Sequence, residues 1–307
     1  MKDFSSMRAS HIAAVSVAVV FLCCAGLFTA RQAVAQGMST REVPGMIADP
    51  SVTLVDAGFR DLYELRFNAA RAKFSSFQTM RPGDPLGKAA EAASYLYEEF
   101  NDKGVLTSAF FLNDAKFLGG VDGSISTNHN EPFLAANRAA REEARLLLKS
   151  NPRDPHGLLI LTIADGMESN YDALIEKKQT AGLGLMKRAE SEANTLLAID
   201  PTAQDAYVAL GMSNYIIGCL PGYKRAFLWF GGVHGDRMQG MDQLRLAAVN
   251  GHYLQPFAKI MLALAYEREH QNARALPLLA DLTIEFPGNP IFAHELSLIQ
   301  QDPPAGH

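Results

Sequence analysis

One spacing constrains the fold of this chain more than any other feature: an alanine followed twelve residues later by a proline. Each alanine lies in a segment whose apolar residues recur at three- and four-residue intervals, which is typical of an amphipathic helix. Proline lacks a backbone N–H and disfavours helix continuation, so each proline is expected just beyond a helix end. The four pairs are Ala70 and Pro82, Ala140 and Pro152, Ala189 and Pro201, and Ala275 and Pro287.

Three of the four prolines begin a second pattern, Pro-x-Asp/Asn-Pro, at residues 82–85, 152–155 and 287–290. An Asp or Asn side chain can accept hydrogen bonds from the first N–H groups of a helix, and proline is favoured at the first helical position. The sequence therefore predicts a repeated unit of helix, tight turn and capped helix. Strand-like alternation is absent and helix-favouring residues dominate, so we predict an all-α fold.

This pattern resembles that of the tetratricopeptide repeat (TPR) family, W-x2-L-G-x2-Y followed by Ala, an aromatic residue and Pro. The resemblance implies an α-solenoid of antiparallel helix pairs over residues 52–300, with a protein or peptide partner in its groove. The last repeat matches best, through Leu262, Ala263, Tyr266, Ala275, Leu279 and Pro287. An earlier helix supplies Tyr207, Leu210 and Gly211, and the first repeat supplies Leu54, Ala57, Gly58, Ala70, Phe74 and Pro82.

The chain departs from a regular TPR array in two ways. Leu54, Tyr207 and Lys259 stand at the tryptophan position, and the intervals between the four prolines are 70, 49 and 86 residues. A regular array would give multiples of 34. We therefore predict insertions at about 102–131 and 219–240, together with a drifted repeat at about 238–251.

Aromatic residues are concentrated in both predicted insertions. They suit either packing inside the solenoid or an exposed lid or docking patch, and the sequence leaves both interpretations open. In the second insertion they stand beside Lys224 and Arg225, a combination that also suits a membrane interface. The candidate partner or lid residues are Phe110, Phe111, Tyr223, Phe227, Trp229 and Phe230.

The N-terminal residues 1–35 have the pattern of a secretory signal peptide. Lys2 and Arg8 precede the uncharged segment 12–30, and Ala33 and Ala35 form a small-x-small cleavage site. We predict cleavage after Ala35 and export to the periplasm or cell envelope, with residues 12–30 as an uncleaved inner-membrane anchor as the alternative. Residues 36–51 are predicted to be a flexible linker, and residues 301–307 a disordered tail.

Composition and motifs exclude several function classes. The apolar content of 48% argues against disorder, and the net charge of −5, which cleavage would change to −7, argues against nucleic-acid binding. Cleavage would leave Cys219 as the only cysteine, so no internal disulfide is expected. His294-Glu295 lacks the second histidine of a zinc-protease motif, and Gly182-x-Gly184 lacks the third glycine of a dinucleotide loop. We predict no catalytic residue, metal ligand or cofactor.

These observations predict a non-catalytic, exported TPR-like scaffold that binds a protein or peptide partner in the cell envelope. A membrane would be contacted only through the signal or anchor segment. The alternative is a binder of a small apolar ligand or lipid, with the aromatic insertions serving as a lid.

Overall fold

The computed structural model describes residues 49–121, 127–230 and 232–301, which belong to one compact unit. The predicted signal peptide with Ala33 and Ala35, most of the predicted linker and nearly all of the predicted tail lie outside these residues. Helix α1 begins at Pro50, two residues before the predicted start of the repeat domain, because the Asp49 side chain caps it. None of the described helices is long and apolar enough to cross a membrane.

The described residues contain helices and no strand, which confirms the all-α prediction. A short 3-10 helix, Gln204–Ala206, precedes α9. The helices are α1 (Pro50–Tyr63), α2 (Phe67–Met80), α3 (Pro85–Asp102), α4 (Ser108–Phe111), α5 (Asp114–Gly119), α6 (Thr127–Ser150), α7 (Pro155–Leu174), α8 (Gln179–Ile199), α9 (Tyr207–Cys219), α10 (Gly222–Phe230), α11 (Arg237–Asn250), α12 (Gln255–Arg268), α13 (Asn272–Glu285) and α14 (Pro290–Gln301).

Five helix pairs form the solenoid: α1 with α2, α3 with α6, α7 with α8, α9 with α11, and α12 with α13. Helix α14 packs on α13 after the last pair. Consecutive pairs also contact one another, so that one hydrophobic core extends from α1 to α14. This arrangement of stacked helix pairs is the TPR-like α-solenoid that the sequence predicts.

The repeated alanines and prolines occupy the predicted places. All four alanines are buried, with at most 2% of their surface exposed: Ala70, Ala140, Ala189 and Ala275. The four prolines each lie two residues beyond a helix end, after α2, α6, α8 and α13. Small buried side chains at these positions allow the paired helices to approach closely, while the prolines end the second helix of each pair.

The predicted helix caps are also confirmed. The Asp84 carboxylate accepts a hydrogen bond from the backbone N–H of Leu86 at 3.0 Å, at the start of α3. The Asp154 carboxylate accepts one from the N–H of Gly157 at 2.8 Å, at the start of α7. The Asn289 amide oxygen does the same at the start of α14. Each cap precedes a proline at the first helical position, which has no N–H to satisfy.

Both insertions interrupt the turn inside a helix pair. In the three uninterrupted pairs that turn contains one residue with a left-handed backbone: Leu65 at φ 60°, Lys177 at φ 56° and His270 at φ 56°. In the other two pairs, α4 and α5 stand between α3 and α6, and α10 stands between α9 and α11. The pairs still form because their packing is made along the helices and not in the turn.

The predicted drifted repeat at 238–251 is the second helix of the fourth pair, α11. Gly240 precedes His252 by twelve residues, and His252 lies two residues beyond the end of α11. These two residues stand where the other pairs have alanine and proline. The irregular interval of 86 residues therefore contains one further pair, in which glycine and histidine replace the residues that define the pattern.

The solenoid is wound tightly enough that its first pair contacts its last. The Tyr63 hydroxyl of α1 donates to the backbone carbonyl of Tyr253, just before α12, at 2.9 Å. The Asn289 side-chain amide donates to the backbone carbonyl of Tyr63 at 2.9 Å, and the rings of Phe59 and Tyr253 stack with centroids 4.8 Å apart. The concave surface is consequently surrounded by helices from all five pairs instead of forming an open groove.

Candidate functional site

An apolar cavity of about 770 Å³ lies at the concave side of the solenoid, among α3, α7, α8, α9, α12 and the inserted helices. A narrower space of about 110 Å³ extends from it towards α1 and shares several of its lining residues. We call the two spaces together the chamber. The shared lining includes Phe100, Met186, Met212, Ile216 and Phe257.

The first insertion forms one wall of the chamber. Phe110 and Phe111 are each 4% exposed, so neither presents a surface to a partner. Arg268 of α12 holds the insertion in place: its guanidinium donates to the backbone carbonyl of Phe111 at 2.7 Å and pairs with Asp114. The same guanidinium lies over the ring of Phe117, 4.6 Å from its centroid. The aromatic residues of this insertion are therefore part of the hydrophobic core.

The second insertion is exposed. No residue of α10 is buried, and only Leu228 is half-buried. Tyr223 is 74% exposed, Phe227 79%, Trp229 60% and Phe230 83%. Of the two interpretations of this insertion, an internal plug does not fit these exposures, whereas a lid or docking patch does. The six candidate residues thus divide into two buried phenylalanines and four exposed aromatic residues.

Helix α10 has an inner and an outer face. Its inner face, formed by Tyr223, Lys224, Phe227 and Leu228, lines the chamber, and because three of these residues are also exposed, the chamber opens to solvent beside α10. Lys224 is the only charged residue of the cavity lining among the described residues, and no salt bridge joins it to another of them. Arg225 and the Trp229 ring, four residues apart and absent from that lining, share the outer face.

The residues that define the repeats serve packing. A methyl group on Gly58 would collide with the Phe74 ring, and Leu210 and Gly211 are both buried. Tyr266 is 4% exposed, and the Arg274 guanidinium lies 4.3 Å from its ring centroid. These contacts set the spacing of the helices around the chamber and leave no reactive group pointing into it.

Groups suited to catalysis are not gathered at the chamber. Burial raises the pKa of the Cys219 thiol, which keeps it protonated and unreactive. Among the described residues, no three His, Cys, Asp or Glu side chains are placed to hold a metal ion. Asp205 lines the narrow end of the chamber, but its carboxylate accepts hydrogen bonds from the backbone N–H groups of His252, Tyr253 and Leu254. That carboxylate is therefore structural.

Three methionines of the chamber have no signal in the sequence. Met186, Met212 and Met261 come from α8, α9 and α12, and each stands at an ordinary apolar position of its helix. Only the stacking of the pairs brings them together, and the sequence carries no signal for that convergence. The sequence shows Lys224 as a basic residue beside aromatic ones. It does not show that Lys224 lies among mostly apolar residues of a cavity lining.

The fold and site define a TPR-like helical repeat protein closed around an apolar chamber. No family model matches the sequence, and no curated protein matches it. A thermophilic TPR protein of Thermus thermophilus, known from its crystal structure, superposes with a TM-score of 0.43 at 16% sequence identity. The superposition covers 82% of this chain and 99% of that protein. Stacked helical repeats in general create extended concave surfaces.

Proposed function

We propose that this chain is a non-catalytic scaffold, exported to the periplasm or cell envelope, that binds a protein partner through the outer face of α10. The observation that carries the proposal is the exposure of Trp229, at 60%, on a helix that makes little contact with the rest of the solenoid. A helix of nine residues is marginal on its own, and contiguous exposed apolar surface marks interaction sites.

The outer face has the chemistry of a binding hot spot. Tryptophan and arginine are enriched at interface positions where replacement by alanine weakens binding most. Arg225 and Trp229 lie one helical turn apart on this face. The ring of Trp229 is held by edge-on contact with Phe230, with centroids 5.4 Å apart. A rigid aromatic pair loses little conformational freedom on binding, which favours affinity.

The charge of the segment around α10 indicates the chemistry of the partner's binding surface. The whole chain has a net charge of −5, yet residues 206–235 contain no Asp or Glu and include Lys224 and Arg225. An apolar pocket with an acidic rim would therefore complement α10, and the acidic remainder of the chain would disfavour other orientations. We place the partner here rather than in the groove because the contacts of Tyr63 with Tyr253 close the concave surface.

The export part of the proposal is supported by the signal-peptide pattern of residues 1–35, and the non-catalytic part by the absence of any recognised catalytic motif in the sequence. Both agree with a scaffold that works in the envelope.

Site-specific photo-crosslinking in intact cells tests the proposal. A photoreactive amino acid replaces Trp229 in one strain and Ile284 in another; Ile284 is 80% exposed on α13, far along the chain from α10. We expect one discrete crosslinked protein from position 229 and none from position 284. Adding Arg225→Glu to the first strain should reduce that product at least tenfold. Equal crosslinking from both positions, or none from position 229, would contradict the proposal.

A further inference from the structure

We propose that the chamber binds a single-chain amphiphile with a terminal carboxylate, its apolar chain inside the chamber and its carboxylate at Lys224. This inference goes beyond the scaffold function, since it concerns the inner face of α10 and the interior of the solenoid. It rests on the volume of the chamber, the identity of its lining and the position of Lys224 in the main cavity.

The volume fits a ligand better than a packing defect. Protein interiors have few voids larger than a water molecule, whereas small-molecule sites occupy roughly 300–1,000 Å³. The main cavity of about 770 Å³ falls within that range. Its walls come from eight helices, which include both insertions, so no single packing fault accounts for it. The two insertions enlarge the space by extending its walls beyond the helix pairs.

The shape and lining suit a flexible apolar chain. The main cavity leads into the narrower space that reaches α1, which favours an elongated ligand over a compact one. Met186, Met212 and Met261 line the main cavity, and methionine adapts its shape to irregular apolar ligands. Two polar groups of the lining are occupied: the Ser169 hydroxyl donates to the backbone carbonyl of Gly182 at 2.8 Å, and the Gln179 amide donates to that of Ala173 at 2.9 Å.

The charge in the lining of the main cavity indicates which headgroup the ligand has. Among the described residues, Lys224 is the only charged one that lines the main cavity, and it stands where the chamber meets solvent. No acidic residue of the described lining would repel an anion or neutralise the ammonium group. A carboxylate at this point would gain an ion pair next to a low-dielectric wall, where charge interactions are stronger than in water. A ligand with an apolar chain and a terminal carboxylate matches both the apolar lining and the ammonium group of Lys224.

Helix α10 is suited to act as the lid of this site. Leu228 is the one half-buried residue of the helix, and the backbone N–H of Val233 returns to the carbonyl of Leu228 at 3.0 Å. Because so little of α10 is buried, displacing it exposes little additional apolar surface and costs little free energy. The ligand can therefore enter beside α10 without disturbing the paired helices.

Competition against the fluorescent apolar probe N-phenyl-1-naphthylamine tests the inference on the purified, delipidated full chain. Oleate and oleyl alcohol have the same chain and differ in charge. We expect oleate to displace the probe at one molecule per chain, with at least tenfold tighter binding than oleyl alcohol. Lys224→Gln should abolish that difference. The matched control is Lys149→Gln, which removes an exposed lysine of α6 outside the chamber lining and should keep the difference intact.

A second variant tests the location. Met212→Trp fills the point where the two spaces join and should weaken oleate and oleyl alcohol alike at least tenfold, with the helical circular dichroism retained. Since Lys224 is exposed, its variant remains informative even if Met212→Trp unfolds. Probe displacement that does not saturate, or a loss of selectivity that is the same in Lys224→Gln and Lys149→Gln, overturns the inference. Neither result bears on crosslinking from position 229, so failure of one proposal is distinguishable from failure of the other.

Discussion

Gly211 of α9 lies against Leu244 of α11 so closely that a methyl group on Gly211 would stand 2.8 Å from Leu244 Cγ and 2.9 Å from its backbone nitrogen. The same methyl group would lie 3.0 Å from the backbone carbonyl oxygen of Gly240. Two glycines facing each other thus set the separation of these helices, although α10 stands between them in the chain. This contact, and not the turn, defines the fourth helix pair.

Gly211→Ala is expected to destabilise the protein by about 2 kcal/mol, because overpacking a tight helix contact costs about 1–3 kcal/mol and outweighs the helix propensity gained. Urea unfolding followed by circular dichroism measures the change. The control is Gly184→Ala on α8, where a methyl group would meet nothing within 4 Å. That variant should gain about 0.5–1 kcal/mol. Similar effects of both changes would show that the contact is looser than the structure indicates.

The sequence was sufficient for the architecture because the determinants of a helix pair are local. Asp84 and Asp154 cap helices through their own neighbours, and each repeated proline acts on the helix directly before it. The fourth pair was predicted only as a drifted repeat, because Gly240 and His252 stand where the other pairs have alanine and proline. The chamber could not be predicted, since Met186 and Met212 look like core residues until the stacking of the pairs is known.

The sequence does not determine whether the apolar face of α10 is buried or exposed. The aromatic stripe of Tyr223, Phe227 and Phe230 is compatible with burial and with exposure, because amphipathic spacing only states that one face is apolar. What decides is whether another helix is available to cover that face. In this fold the paired helices cover one another, and no other described helix covers most of α10.

Export predicts a defined N-terminus. If residues 1–35 are removed, mass spectrometry of the protein from the envelope fraction will find a chain that begins at Gln36. Ala35→Leu should block processing, because the peptidase accepts only small residues at the cleavage site. Ala30→Ser, outside the small-x-small site, should be processed normally. An intact chain in the membrane fraction would instead support the anchor formed by residues 12–30.

Arg268 is expected to control the order of the first insertion. Arg268→Met retains much of the side-chain volume but removes the hydrogen bond to the Phe111 carbonyl and the ion pair with Asp114. Loss of a charged hydrogen bond at a largely buried site should cost about 2 kcal/mol. Hydrogen exchange should accelerate in residues 108–119 and stay unchanged in α2. Arg245→Met, which removes an exposed ion pair with Asp242, should alter exchange in neither region.

Glu267 should make stability depend on pH. Burial, with a smaller contribution from the Glu295 carboxylate, raises the pKa of Glu267 from 4.5 to about 7. Between these values the folded state binds more protons than the unfolded state, so the free energy of unfolding falls as pH rises from about 4.5 to 7. The full shift corresponds to a loss on the order of 3 kcal/mol.

Glu267→Gln supplies a neutral, isosteric side chain at every pH, so it should stabilise the protein at pH 8 and flatten the pH profile of the unfolding free energy above pH 5. A residual slope is expected from Glu192, because burial, with a further contribution from Asp165, raises its pKa to about 7 as well. Glu142→Gln on the exposed side of α6 should leave the profile as it is. Chemical unfolding at pH 5, 6, 7 and 8 distinguishes these cases, and a profile that rises with pH for the unmodified protein would show that Glu267 is ionised in the folded state.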